Sequence, residues 1–149
     1  MRVFVGADHA GFDLKSAVMA HLSKRAIEVE DDGDRELDPN DDYPQFAYMV
    51  ATKVLGSEDD DPRGILLCGS GQGMCIAANR VRGIRASLCW SEDIARETRN
   101  DNDSNVLCIP ARTLSEEDAL KIIDVWLDTP FSGAARHVRR IHEIEELYG

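Results

Sequence analysis

Gly64-Ile65-Leu66-Leu67-Cys68-Gly69-Ser70-Gly71-Gln72-Gly73 is the stretch that decides the fold. Gly64 to Cys68 is a continuous apolar run, as in a strand covered on both faces. Alternate glycines follow at once, and the spacing predicts a helix from Met74 to Arg80. Working outward, Arg2 to Gly6 is a short β-rich run, and Gly11 to Lys24 places Phe12, Leu14, Val18, Met19 and Leu22 at near-helical spacing. Ala26 to Glu30 alternates like a strand. Pro44 suits the first turn of a helix that Asp42 would cap and Gly56 would end. Ile84 to Leu88 and Asn105 to Ile109 read as further strands. Ser91 is expected to cap the helix between them, and Thr113 or Ser115 the helix that ends near Leu127. Pro130 breaks the chain before a last helix from Gly133 to Leu147. Strands alternating with helices predict an α/β fold, with three layers around a five-stranded parallel sheet. One domain, 1–149, accounts for the length, and ligands of such a sheet sit beyond the carboxyl ends of its strands.

Composition narrows the partners. With 43% apolar and 30% charged residues among 149, the chain is globular. A net charge of -11 argues against nucleic acid or an anionic membrane as partner, since both need a Lys/Arg excess. The segment Asp31 to Asp42 and the run Glu58 to Asp61 read as solvated acidic loops, whereas Arg136, Arg139 and Arg140 concentrate positive charge near the C-terminus. The 4 cysteines, Cys68, Cys75, Cys89 and Cys108, form no C-x-x-C pair and no zinc-ligand spacing. They read as packed thiols of a reducing, cytoplasmic setting. No apolar stretch reaches the ~20 residues of a membrane span.

Four groups of residues could carry chemistry. Asp8-His9 at a strand end offers a carboxylate and an imidazole that can move protons, and a charged His also binds phosphate. A capping Asp beside a surface His is the structural alternative. Gly69, Gly71 and Gly73 let backbone N–H groups close on an oxyanion. Their spacing is G-x-G-x-G after the third strand, with no Walker lysine, which discounts NAD and ATP. Cys68 faces that helix start, where a thiol pKa is expected to fall, making it a base or nucleophile. The run Arg99 to Asn105 suits both a self-bonded turn and recognition of sugar hydroxyls. Arg136 and Arg140 lie one helical turn apart, and two guanidinium forks suit a phosphate monoester. The alternative is a solvated face paired with Glu143 to Glu146.

Taken in order, these motifs resemble the ribose-5-phosphate isomerase B / galactose-6-phosphate isomerase family along essentially the whole chain. The resemblance rests on Gly6-Ala7-Asp8-His9-Ala10-Gly11, Asp42-Tyr43-Pro44, Gly64 to Gly71, Ile76-Ala77-Ala78-Asn79-Arg80 and Gly83-Ile84-Arg85-Ala86. Asn102-Asp103-Ser104-Asn105-Val106-Leu107 and Arg136-His137-x-x-Arg140 complete it. It implies a Rossmann-like five-stranded sheet and a C-terminal helix reaching a partner subunit. It also implies a homodimer or dimer of dimers with sites at the interface. The activity implied is metal-free and cofactor-free interconversion of aldose and ketose phosphates through a cis-enediolate. By resemblance Cys68 is the base, since Met74 stands where another branch has a glutamate, and Ser70 assists proton movement at the substrate oxygens. Gly69, Gly71 and Gly73 form an anion hole. Asp8, Tyr43 and Asn102 contact the sugar, and His9, Arg112, Arg136 and Arg140 bind phosphate.

Two departures stand out. Asp101 replaces the ring-opening histidine of the ribose-phosphate enzymes, so that Asp101 or Asp8 would open a furanose. Otherwise the substrate is already linear, as a tetrose 4-phosphate is. The approach Gly133-Ala134-Ala135 is one residue longer than the common form. Ribose 5-phosphate to ribulose 5-phosphate is the leading expectation. The alternatives are a tetrose 4-phosphate, an allose or galactose 6-phosphate, or a silent sugar-phosphate-binding subunit.

Overall fold

The computed structural model describes residues 1–148. Its elements run β1 (Arg2–Ala7), α1 (Phe12–Lys24), β2 (Glu28–Asp31), α2 (Tyr43–Gly56), β3 (Pro62–Cys68), α3 (Gln72–Ala78), β4 (Ala86–Leu88), α4 (Glu92–Asn102), β5 (Val106–Pro110), α5 (Glu116–Asp128) and α6 (Ala135–Tyr148). The sheet has the order β2-β1-β3-β5-β4, and every pairing is parallel.

Alternation along the strands divides the core. Val3, Val5, Ile65, Leu67, Leu107 and Ile109 meet Val18, Leu22, Ala95, Ile122 and Trp126 from α1, α4 and α5. Phe4, Leu66, Cys68, Val106 and Cys108 face the other way, onto Phe46, Val50, Val54, Met74 and Ala78 from α2 and α3. Helices therefore cover both faces, which is why the apolar run of β3 needs no polar alternation. The same period puts the Cys68 side chain on the α2–α3 face.

Sequence and structure differ at several ends. α3 begins at Gln72, before the expected Met74, because Gly71 takes the left-handed conformation (φ +73°) and the helix starts directly after it. β4 begins at Ala86 rather than Ile84, since Arg85 N–H donates to the Asn105 side chain at 2.8 Å. Asp42 precedes α2 but its side chain accepts no capping bond. Ser91 and Ser115 do cap, accepting from Ile94 and Asp118 N–H.

The order in which strands are added reverses between β1 and β3: β2 lies outside β1, and β5 and β4 lie beyond β3. In an open parallel sheet this switch leaves a crevice between the two following loops. The two loops are those that begin at Asp8 and Gly69.

Candidate active site

The first loop is locked onto the second. Asp8 N–H donates to the Leu67 carbonyl at 3.2 Å, and a Cβ on Gly11 would lie 2.3 Å from the same oxygen. Asp8 is buried, and its Oδ1 accepts from Ala10 and Gly11 N–H at 3.0 and 3.2 Å. Asp8 thus closes the turn ahead of α1 and does not cap the helix, whose N-cap is Gly11 without a side-chain bond. His9 remains half-exposed beside it, and its Nδ1 lies 2.6 Å from Asp41 Oδ1.

The second loop is a turn only glycine can make. At Gly71 a Cβ would sit 2.4 Å from Leu88 Cδ1 and the φ is +73°, so close approach and left-handed backbone both exclude a side chain. Tyr43 packs its ring where a Gly73 Cβ would be, and the Arg112 guanidinium does the same at Gly69. Arg112 N–H donates to Gly69 O, and Ala111 N–H to Cys68 O. Ser70 is exposed at the crest, its Oγ accepting weakly from Gln72 N–H at 3.4 Å. The structure thus sets the two loops side by side, with Tyr43 against Gly73, Arg112 against Gly69 and the Asp8 charge near Cys68.

Cys68, 4% exposed, sits behind the turn. Burial pushes its thiol above the ordinary range, the Met74 and Gly71 N–H groups pull it down, and the Asp8 charge pushes it up again. The expected lowering is overturned, because desolvation of the thiolate outweighs the few N–H donors of this short helix start. Cys75 behaves oppositely: a hydrogen bond with Cys108 brings it to about 7 against the effect of burial. Acidity alone would favour Cys75 as the reactive thiol. Its Sγ, however, lies 3.4 Å from Ala86 O and 3.6 Å from Asn79 Nδ2, at β4 and not at the crevice. Cys68, by contrast, ends β3 directly before the glycine turn.

The remaining candidates form a second group. Asp103, Ser104 and Asn105 bond to neighbouring elements rather than to their own backbone: Asp103 Oδ1 accepts from Arg99, Ser104 Oγ from Trp126 Nε1, and Asn105 Oδ1 from Arg85 N–H. Asp101 and Asn102 face α6 instead. His137, buried in α6, places Nδ1 3.0 Å from the Asp101 carbonyl and 3.3 Å from its carboxylate. Asn102 and Arg140 line a groove of about 720 Å³ with Arg80, Arg85, Ile144 and Tyr148. Arg136 and Arg140 are exposed. Neither makes an ion pair among the described residues; Glu145 pairs with Arg85 instead. No hydrogen bond among the described residues ties this group to the crevice. Sequence reading missed His137 and Asp41 as partners, for their only signal is a contact across the fold.

Comparison with known proteins bears on both groups. The sequence matches the model of the Ribose/Galactose Isomerase family over residues 3–144. The chain belongs to that family. The ribose-5-phosphate isomerase B of Escherichia coli (strain K12) is 42% identical over 146 residues, covering 98% of this chain and 95% of the relative. A Ribose/Galactose Isomerase structure from Thermotoga maritima, a ribose 5-phosphate isomerase, superposes with a TM-score of 0.92 at 46% identity, covering 98% of both chains. Ribose-5-phosphate isomerase B from Mycoplasma genitalium, solved with bound ribulose 5-phosphate, gives 0.93 at 41% identity, covering 97% of this chain and 94% of that one. The Rossmann-like α/β fold expected from the sequence is the fold these enzymes share.

Proposed function

We propose that this chain interconverts ribose 5-phosphate and ribulose 5-phosphate by proton transfer between C1 and C2, without a metal or organic cofactor. The observation that carries the reading is Cys68, buried at the end of β3 directly behind the Gly69–Gly73 turn and opposite Asp8-His9. As thiolate, Cys68 removes the C2 proton of the open-chain aldose, and the electron pair moves to the C1 carbonyl oxygen. The resulting cis-enediolate is held by the N–H groups of the turn. Cys68 returns the proton to C1, while the Ser70 hydroxyl carries the proton of O2 toward O1, leaving the C2 ketone. Asp8, Tyr43 and Asn102 contact the sugar, and His9, Arg112, Arg136 and Arg140 hold the phosphate.

The two separate groups of residues support a further element of this reading. Unpaired arginines on α6 suit a role across a subunit boundary, and Tyr48, Met49, Ile76 and Leu147 leave apolar surface exposed. A homodimer, or a dimer of dimers, would bring α6 of one copy to the crevice of the other. The chain is read as one isomerase domain, 1–149, working in the cytoplasm; no helix among the described residues is long and apolar enough to cross a membrane.

A second reading rests on Asp101, whose carboxylate is engaged by Asn100 Nδ2 at 2.6 Å and by His137. A substrate that needs no ring opening, such as a tetrose 4-phosphate, would not call on it. Ketose formation from ribose 5-phosphate, erythrose 4-phosphate and allose and galactose 6-phosphates, with EDTA present, tests both readings. Preference for ribose 5-phosphate sustains the first; preference for another sugar transfers the chemistry to it; no turnover on any sinks both. If Asp101 opens the ring, Asp101→Asn slows furanose substrates far more than open-chain ones, and an equal loss on both rejects that role.

A further inference from the structure

The acidic segment between β2 and α2 is exposed from residue 35 to 40, as its composition suggests, but it is pinned near both ends. Asp32 is 5% exposed, and the Asp41 side chain 3%. Two buried or half-buried lysines pin the segment down. Lys15 donates to Asp31 Oδ1 at 2.8 Å and to the Asp34 carbonyl at 2.5 Å, and Lys53 binds Asp32 and Glu30. Asp38 then closes a tight turn, accepting from Asn40 N–H through Oδ1 and from Asp41 N–H through its carbonyl. The chain arrives with the Asp41 carboxylate 2.6 Å from His9 Nδ1.

We propose that Asp41 is a positioning residue for His9, fixing the imidazole so that Nε2 is the atom offered to the phosphoryl group of the substrate. The inference rests on the phosphate-binding reading of His9 given above. An ionised carboxylate only accepts, so Nδ1 carries the proton and Nε2 is left for the ligand. Nε2 then shares a proton with a phosphoryl oxygen: it takes one from a monoanion or, once protonated, donates to a dianion. A sugar without phosphate has no such partner, so Asp41 contributes to selection of phosphorylated substrates. Because the phosphate stays in place while C1 and C2 react, the contribution is uniform binding and falls on KM, not kcat.

The test combines kinetics with ring-nitrogen NMR of His9 in the full-length protein. The wild-type spectrum is expected to show the Nδ1–H tautomer, and Asp41→Ala to redistribute it toward Nε2–H. Asp41→Ala should raise KM for ribose 5-phosphate roughly tenfold, the lower end of what outer partners of binding histidines carry at metal sites. Its kcat should stay within about twofold, as uniform binding requires. Asp41→Asn keeps an acceptor for Nδ1–H and should restore most of the affinity. An Nε2–H tautomer in the wild type, or a fall in kcat with KM unchanged, overturns the proposal. If the wild type fails to turn over ribose 5-phosphate, the proposed function falls separately. The spectrum and a titration with inorganic phosphate then decide about Asp41: affinity must weaken in Asp41→Ala, and an unchanged affinity overturns it.

Discussion

The glycine turn after β3 and the arginine face of α6 are built in opposite ways. At the turn the backbone is closely packed: Gly71 meets the Leu88 side chain and the Pro110 backbone, Gly69 meets the Arg112 guanidinium, and Cys68 is buried behind both. On α6 the guanidinium groups of Arg136 and Arg140 stand in solvent, and His137 alone anchors that stretch inward. The turn is preorganised within one chain and suits the stabilisation of a transient charge. The arm is held loosely and suits capture of an anion brought to it, or completion of a site on another copy. On the proposed reading the base belongs to the rigid region, and Arg136 and Arg140 on the exposed one add to the phosphate grip.

The hardest test of that division is Cys68→Ala. If the turn holds the base, turnover should fall about a thousandfold with KM little changed, since general-base removal typically costs 10²–10⁴. Cys75→Ser, which removes the more acidic thiol, should leave turnover within about threefold, because the site of proton transfer is untouched. Steady-state kinetics of the two variants, side by side, would expose a misassigned thiol at once.

Next in size is the arm. Arg140→Ala should raise KM for a sugar phosphate about 10–100-fold, the scale of a lost charge-assisted contact, with a smaller change in kcat. Mixing Cys68→Ala with Arg140→Ala chains after unfolding and refolding sharpens the comparison further. If each site draws Cys68 from one copy and Arg140 from the other, a random mixture of twofold dimers, assayed at substrate well below the wild-type KM, regains about a quarter of wild-type activity. Recovery near zero would place both residues of a site on the same chain.

Which parts of this were visible in the sequence follows the same contrast. The strands of the sheet centre could be read because apolar runs and period-two alternation are local signals, and the glycine turn because its spacing is local too. The self-bonded turn expected of Asp103 to Asn105 from residue type is replaced by side-chain bonds to Arg99 and to Arg85 N–H. What escaped depends on distant partners. Asp41 reads as one more charge in an acidic run until its partner His9, 32 residues away, is seen. Lys53 and Asp32 are separated by 21 residues in the same way. The Cys68 thiol was misjudged because a helix start is visible in sequence, whereas the burial that opposes it is a property of the packed fold. The ends of β4 moved because the Asn105 side chain, from a different element, takes the Arg85 N–H.

The raised Cys68 thiol gives the third test, of intermediate size. A group raised above its ordinary value stays protonated at neutral pH, so only a small fraction of the free enzyme holds the thiolate. The kcat/KM should therefore climb about tenfold per pH unit from neutrality toward the thiol range before levelling, since it reports ionisation in the free enzyme. A profile already flat above pH 7 would mean a thiol of lowered pKa, as at Cys75, and would reopen the choice between the two cysteines.

The smallest expected effect separates scaffold from site within the Asn-rich segment. Ser104, 1% exposed, accepts the indole N–H of buried Trp126 at 2.8 Å, while Arg99 donates to its carbonyl at 2.6 Å. Arg63 and Arg99 lie against the same indole, 5.2 and 5.9 Å from its centroid. Ser104→Ala leaves a buried donor without a partner, at a cost of about 1–3 kcal/mol in stability. The Arg99 bond goes to the backbone carbonyl and survives the change. Denaturant unfolding should therefore show a lower midpoint at an unchanged m-value, while kcat and KM stay near wild type. If activity fell in step with stability, Ser104, which lines the same groove as Asn102 and Arg140, would serve the ligand as well as the scaffold, and the line between rigid support and exposed binding face would run two residues later than drawn.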